Sequence, residues 1–115
     1  MITLFAVLLA GCGATPVLKQ PAMKINASEL SRYWLPVSDS YQFEIDESLP
    51  AKGYVEAKYL IDSEGRVHRV TFTSMTDPQW GEVVREMLAQ YQYTPSAYNT
   101  KLIPVWVSNE FTLTK

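Results

Sequence analysis

This chain of 115 residues has little of what reactive and metal-binding chemistry needs. It holds one cysteine, Cys12, and one histidine, His68. A single cysteine excludes an internal disulfide, and one Cys with one His does not make a conventional metal site. No Gly-rich phosphate loop is present. Neither sign of charge dominates: 10 Lys and Arg stand against 12 Asp and Glu, for a net charge of -2. Without a stripe of Lys and Arg or an RNA-binding aromatic motif, a nucleic-acid partner is not expected. A general base needs a positioned partner, and no Ser-His-Asp or Cys-His set can be assembled here. His68, between Val67 and Arg69, reads as a solvent-side strand residue. Asp62 and Glu64 read as turn residues before Gly65 rather than as a carboxylate pair. No catalytic, metal or cofactor-binding residues are therefore expected.

Long apolar runs are also missing. Ile2 to Ala10 is nearly all apolar, but nine helical residues rise only ~14 Å, against a ~30 Å hydrocarbon core. The length fits the apolar region of a signal peptide. It ends at Leu9-Ala10-Gly11-Cys12, which resembles the lipobox of bacterial lipoproteins. The resemblance implies cleavage before Cys12, leaving residues 1–11 as a signal peptide, and acylation (palmitate among the chains) of the Cys12 thiol. Each buried methylene of such an anchor contributes ~0.8 kcal/mol to membrane binding. It further implies a cell-envelope protein facing the periplasm. Gly13, in place of an acidic residue, favours the outer membrane. The other reading is a buried N-terminal strand or helix with Cys12 in the core. The n-region between Met1 and Leu4 lacks its usual positive charge.

What is present is a run of well-marked elements. Residues 12–24, with Pro16 and Pro21 and no periodicity, read as the lipidated cysteine and a tether. Residues 25–52 read as an extension. It holds a short helix over Asn26 to Trp34, capped by Ser28 with Glu29 in its first turn, and an alternating arm around Tyr41, Phe43 and Ile45. In Tyr54 to Ile61, Val55, Ala57, Tyr59 and Ile61 share one face, as in a strand. Asp62 to Gly65 make a hairpin turn, and Val67 to Ser74 return with Val70 and Phe72 inward. Asp77 and Pro78 then open a helix. Its stripe is Trp80, Val83, Val84, Met87, Leu88 and Tyr91, with Gly81 off it. Ile103, Val105, Val107, Phe111 and Leu113 form the inner face of a last strand, with Asn109 as a polar intruder. Trp106 points to the other face. Pro104 cannot donate to a ladder, which suits an edge or a strand start. Trp80 reads as core, while Trp34 and Trp106 remain open. The expected architecture is α+β, a small three-stranded antiparallel sheet packed against one main helix in the order β-β-α-β over residues 53–115.

Taken together, Gly53-Tyr54-Val55, the hairpin Ile61 to Val67, the helix stripe and Tyr91-Gln92-Tyr93-Thr94-Pro95 resemble the C-terminal domain of the TonB family. That family binds a segment of an outer-membrane receptor by adding it as a strand to a sheet edge. Main-chain hydrogen bonds then give affinity and alternate side chains give specificity. Carried onto this chain, the resemblance implies a protein-binding edge at Ile103, Val105, Trp106, Val107, Asn109 and Phe111, and a link to outer-membrane transport. The chain departs from the family's transducers. It shows no spanning helix and no Pro-rich spacer, Pro50 and Gly53 leave no room for a first helix, and Gln92 stands where a basic residue is usual. The resulting expectation is a protein-binding lipoprotein module. The rival is a structural or assembly lipoprotein with the same fold. An exposed edge also permits a homodimer by edge pairing.

Overall fold

The computed structural model describes residues 15–38 and 45–115. In order they form β1 (Met23–Asn26), a 3-10 helix (Ala27–Arg32), β2 (Trp34–Pro36), β3 (Lys52–Ile61), β4 (Val67–Met75), α1 (Pro78–Ala89), β5 (Tyr93–Pro95) and β6 (Val105–Thr114). Four strands make one sheet in the order β1-β6-β3-β4, and β2 pairs with β5 beside it. The three expected strands, β3, β4 and β6, pair antiparallel. The α+β class with one main helix holds, and a fourth strand is added to it.

The core follows from period. In β3, Val55, Ala57, Tyr59 and Ile61 are buried on one face, and Trp80, Val83, Val84 and Leu88 of α1 lie on them. Burying one such side chain is worth ~1.5–3 kcal/mol before entropy. Position 53, near the start of the strand, is a glycine against which the Trp80 indole rests. A Cβ at position 53 would run into that ring. Pro78 fills the first turn of α1 after the extended Asp77. The hairpin turn needs Gly65, whose φ is 81° and whose missing side chain leaves room for the Tyr93 carbonyl.

Several expectations are corrected. The stretch read as a tether supplies β1 and is bound to the domain from Val17 onward. The short helix is a 3-10 helix capped by Asn26, not Ser28. Glu29 reaches back to accept the Asn26 N–H at 3.1 Å. Gly81 is buried, because Met75 and Phe72 fold over it. Cys12, and Tyr41 and Phe43 of the expected arm around Tyr41, Phe43 and Ile45, lie outside the described residues.

Candidate protein-binding edge

β6 pairs with β3 along its whole length, from Val105 opposite Ile61 to Thr114 opposite Lys52. Its other side is shared. β1 lies parallel to it with Met23, Lys24, Ile25 and Asn26 opposite Val105, Trp106, Val107 and Ser108. Three residues expected at a bare edge, Val105, Trp106 and Val107, are therefore inside the sheet. Ile103 precedes the strand, and its backbone is already used. Its N–H donates to Asn99 Oδ1 and its carbonyl accepts the Trp34 indole N–H, both at 2.8 Å.

β1 is fastened at both ends. Upstream, Val17 N–H donates to Asp62 Oδ2 at 3.1 Å, Ser63 N–H donates to the Val17 carbonyl at 2.8 Å, and Lys19 N–H donates to Ser63 Oγ at 2.9 Å. Met23 N–H donates to the Pro104 carbonyl at 3.0 Å. Downstream, Trp34 is only 1% exposed. Ser96 Oγ donates to the Arg32 carbonyl at 2.6 Å, and the Asn99 amide donates to the Tyr33 carbonyl at 3.0 Å. A strand pinned by a buried carboxylate on one side and a buried indole on the other is a structural member of the sheet.

Past Ser108, β6 has no second strand neighbour among the described residues. Its backbone polarity can be read from alternation, since both polar groups of a residue point to the same side of an antiparallel strand. Lys115 N–H donates to the Ala51 carbonyl, so odd-numbered residues face β3. Glu110, Thr112 and Thr114 then aim their N–H and C=O at the open side. The first of these donors is capped locally, because Glu110 N–H reaches Asn109 Oδ1 at 2.9 Å. The polar intruder thereby has a role on both of its ends, as its amide also donates to Tyr59 Oη at 3.3 Å. Phe111 and Leu113 are half-buried on the α1 face, while Glu110, Thr112 and Thr114 are exposed. Asn109 and Phe111 are thus the two expected residues that lie in the open stretch.

The opposite edge, β4, is guarded. Its register with β3 slips twice, and Arg69 takes a φ of 56° at the second irregularity. Bulges twist an edge away from further pairing.

His68 is not the solvent-side residue expected from sequence. Its side chain is 9% exposed and its Nε2 lies 2.8 Å from Asp62 Oδ2. Asp62 is 1% exposed and collects Val17, Glu64 and Arg66 N–H as well. Burial pushes its carboxyl up, but the N–H donors of Arg66, Val17 and Glu64 with the His68 ring outweigh that and hold it below the ordinary range. The adjacent Ser63 Oγ donates to the Leu102 carbonyl at 2.8 Å, away from His68. The trio is spent on joining the turn to the N-terminal segment. On the outer sheet face, Glu56 and Glu110 stand opposite each other, and Tyr54 Oη donates to Glu56 at 2.8 Å. That carboxylate, with burial and Glu110, pushes the Tyr54 hydroxyl far up.

No protein-family model matches the sequence, and neither does any curated protein. Among solved structures, the solution NMR structure of the Pseudomonas aeruginosa TonB C-terminal domain is similar. It is 14% identical, with 78% of this chain and 92% of that one covered and a TM-score of 0.63. At that identity the likeness is one of fold: the chain has the α+β fold of a TonB C-terminal domain.

Proposed function

We infer that this chain is a protein-binding module that takes an extended segment of a partner as an added strand on β6 between Asn109 and Thr114. The supporting observation is the distribution of edges. β4 is bulged, β1 closes β6 up to Ser108, and Thr112 and Thr114 point backbone donors and acceptors outward from the remaining stretch. An added strand would lay one face along half-buried Phe111 and Leu113 and the other along Glu110 and Thr112. A segment alternating apolar with basic or hydroxyl side chains fits that arrangement. The TonB-type fold is in keeping with such use, and an outer-membrane receptor segment or another envelope protein is the partner class it suggests. The lipobox-like Leu9 to Cys12 supports extending the reading to a bacterial-envelope lipoprotein acylated at Cys12. It would face the periplasm, from the outer membrane by the Gly13 rule. Radiolabelled palmitate incorporated by the natural chain and absent from Cys12→Ser would support that placement.

The second reading, a structural or assembly lipoprotein, is favoured by one observation: the chain's own β1 already pairs with four of the ten residues of β6. Thr112→Pro separates the two. It removes an outward N–H while leaving the β3 ladder intact, as an edge tolerates. In cells, a photocrosslinking residue at position 110 should capture a partner through an extended segment, and Thr112→Pro should abolish that capture with the fold retained. Crosslinks only within the chain, or only to a second copy, would favour the structural reading or a homodimer.

A further inference from the structure

The outer sheet face, away from α1, carries a cluster that the strand-addition reading does not use. Lys24 of β1 and Trp106 of β6 are direct register partners, and Lys58 of β3 lies one row further along beside Ser108. Lys58 Nζ sits 6.0 Å from the centroid of the Trp106 ring. The three side chains line two adjoining hollows of about 280 and 360 Å³. One continues to Asn26, Glu29 and Ser108, the other to Thr71 and Thr73. Each is near the lower end of the ~300–1,000 Å³ of small-molecule clefts.

Two lysines face one carboxylate, Glu29, in the lining of this trough. Among the described residues, neither Lys24 nor Lys58 forms an ion pair. Glu29 accepts the Asn26 N–H, and Glu56, two residues before Lys58 on β3, accepts the Tyr54 hydroxyl. The lining thus offers two ammonium groups, Ser and Thr hydroxyls and an indole, with the Glu29 carboxylate held at one end by the Asn26 N–H. Trp106 is half-buried and lines both hollows. A pyranose can lie on the part of such a ring that is left open.

We propose that Lys24, Lys58 and Trp106 form a binding site for an acidic glycan, with a sugar ring stacked on Trp106 and its carboxylate between the two lysines. The site is independent of the β6 edge and uses the opposite face of Trp106's strand from Phe111. It also makes the placement of β1 functional, because β1 brings Lys24 to Trp106.

Tryptophan fluorescence reads this site directly. Trp34 and Trp80 are each 1% exposed, with their indole N–H groups bonded to the Ile103 and Pro50 carbonyls. Trp106 is the one of the three left half-exposed. The full chain should be titrated with trigalacturonic acid, its fully methyl-esterified counterpart, inorganic phosphate and phosphatidylglycerol vesicles. Saturable quenching by the acid alone is expected. The Lys24→Gln/Lys58→Gln double variant should weaken it at least about tenfold, the scale of losing charge-assisted hydrogen bonds, with the melting temperature unchanged. Calorimetry on Trp106→Leu should show the same loss without depending on the fluorophore. No saturable quenching, equal quenching by the ester or by phosphate, binding to vesicles in place of the acid, or an unaffected lysine variant would each overturn the proposal.

Discussion

At the residue scale, Asp62 holds more of the structure than any other polar side chain described. Asp62→Ala strands three backbone N–H groups and the His68 ring. A loss of roughly 3 kcal/mol is expected, a fall in melting temperature of roughly 10–20 °C. The pH sign follows from the direction of the shift. Its carboxyl is held below the unfolded value of ~3.9. Its contribution is therefore complete above about pH 4 and is lost as pH falls through the lower folded value. Melts of the natural chain and Asp62→Asn should thus differ most at neutral pH and converge in acid. Convergence on raising the pH instead would refute that account. Gly53→Ala tests the close approach of Trp80 and should cost about 1–3 kcal/mol by overpacking, read by denaturant midpoint. The sequence showed Asp62 as a turn residue, which it is. Its burial was not legible, because two of its partners, Val17 and His68, come from outside the turn.

At the element scale, the strands and helix whose side chains alternate or repeat cleanly are those readable in advance. β3, β4, α1 and β6 each present a continuous face to one core, so period alone locates them. β1 escaped because four residues with a single buried side chain, Ile25, give no period. Its position is set by anchors at Asp62 and Trp34, which lie 36 and 8 residues beyond Asn26 along the chain. Amide hydrogen exchange would test the division of β6 that results. The Trp106 and Ser108 amides, turned towards β1, should exchange slowly. Those of Thr112 and Thr114 should exchange much faster, with Glu110 between through its bond to Asn109. Equal protection at Ser108 and Thr112 would mean that the open stretch is closed in solution. The six residues named from the sequence as a binding edge fall in different surroundings, with Ile103 ahead of the strand. Asn109 and Phe111 lie where pairing is open, whereas Val105 to Val107 lie where the chain pairs with itself.

For the whole molecule, the clamp of Val17 on Asp62 and Ser63 sets how far an anchored domain could roam. Read from sequence, the leash ran from Cys12 to Lys24, roughly 40 Å at full extension. With Val17 held down, only five residues remain, a reach of roughly 18 Å. Swept volume goes as the cube of reach, so a lipidated form would search less than about a tenth of the space. For any partner embedded in the same membrane, that confinement raises its local concentration by the inverse factor. For anything further away, it puts the domain out of range.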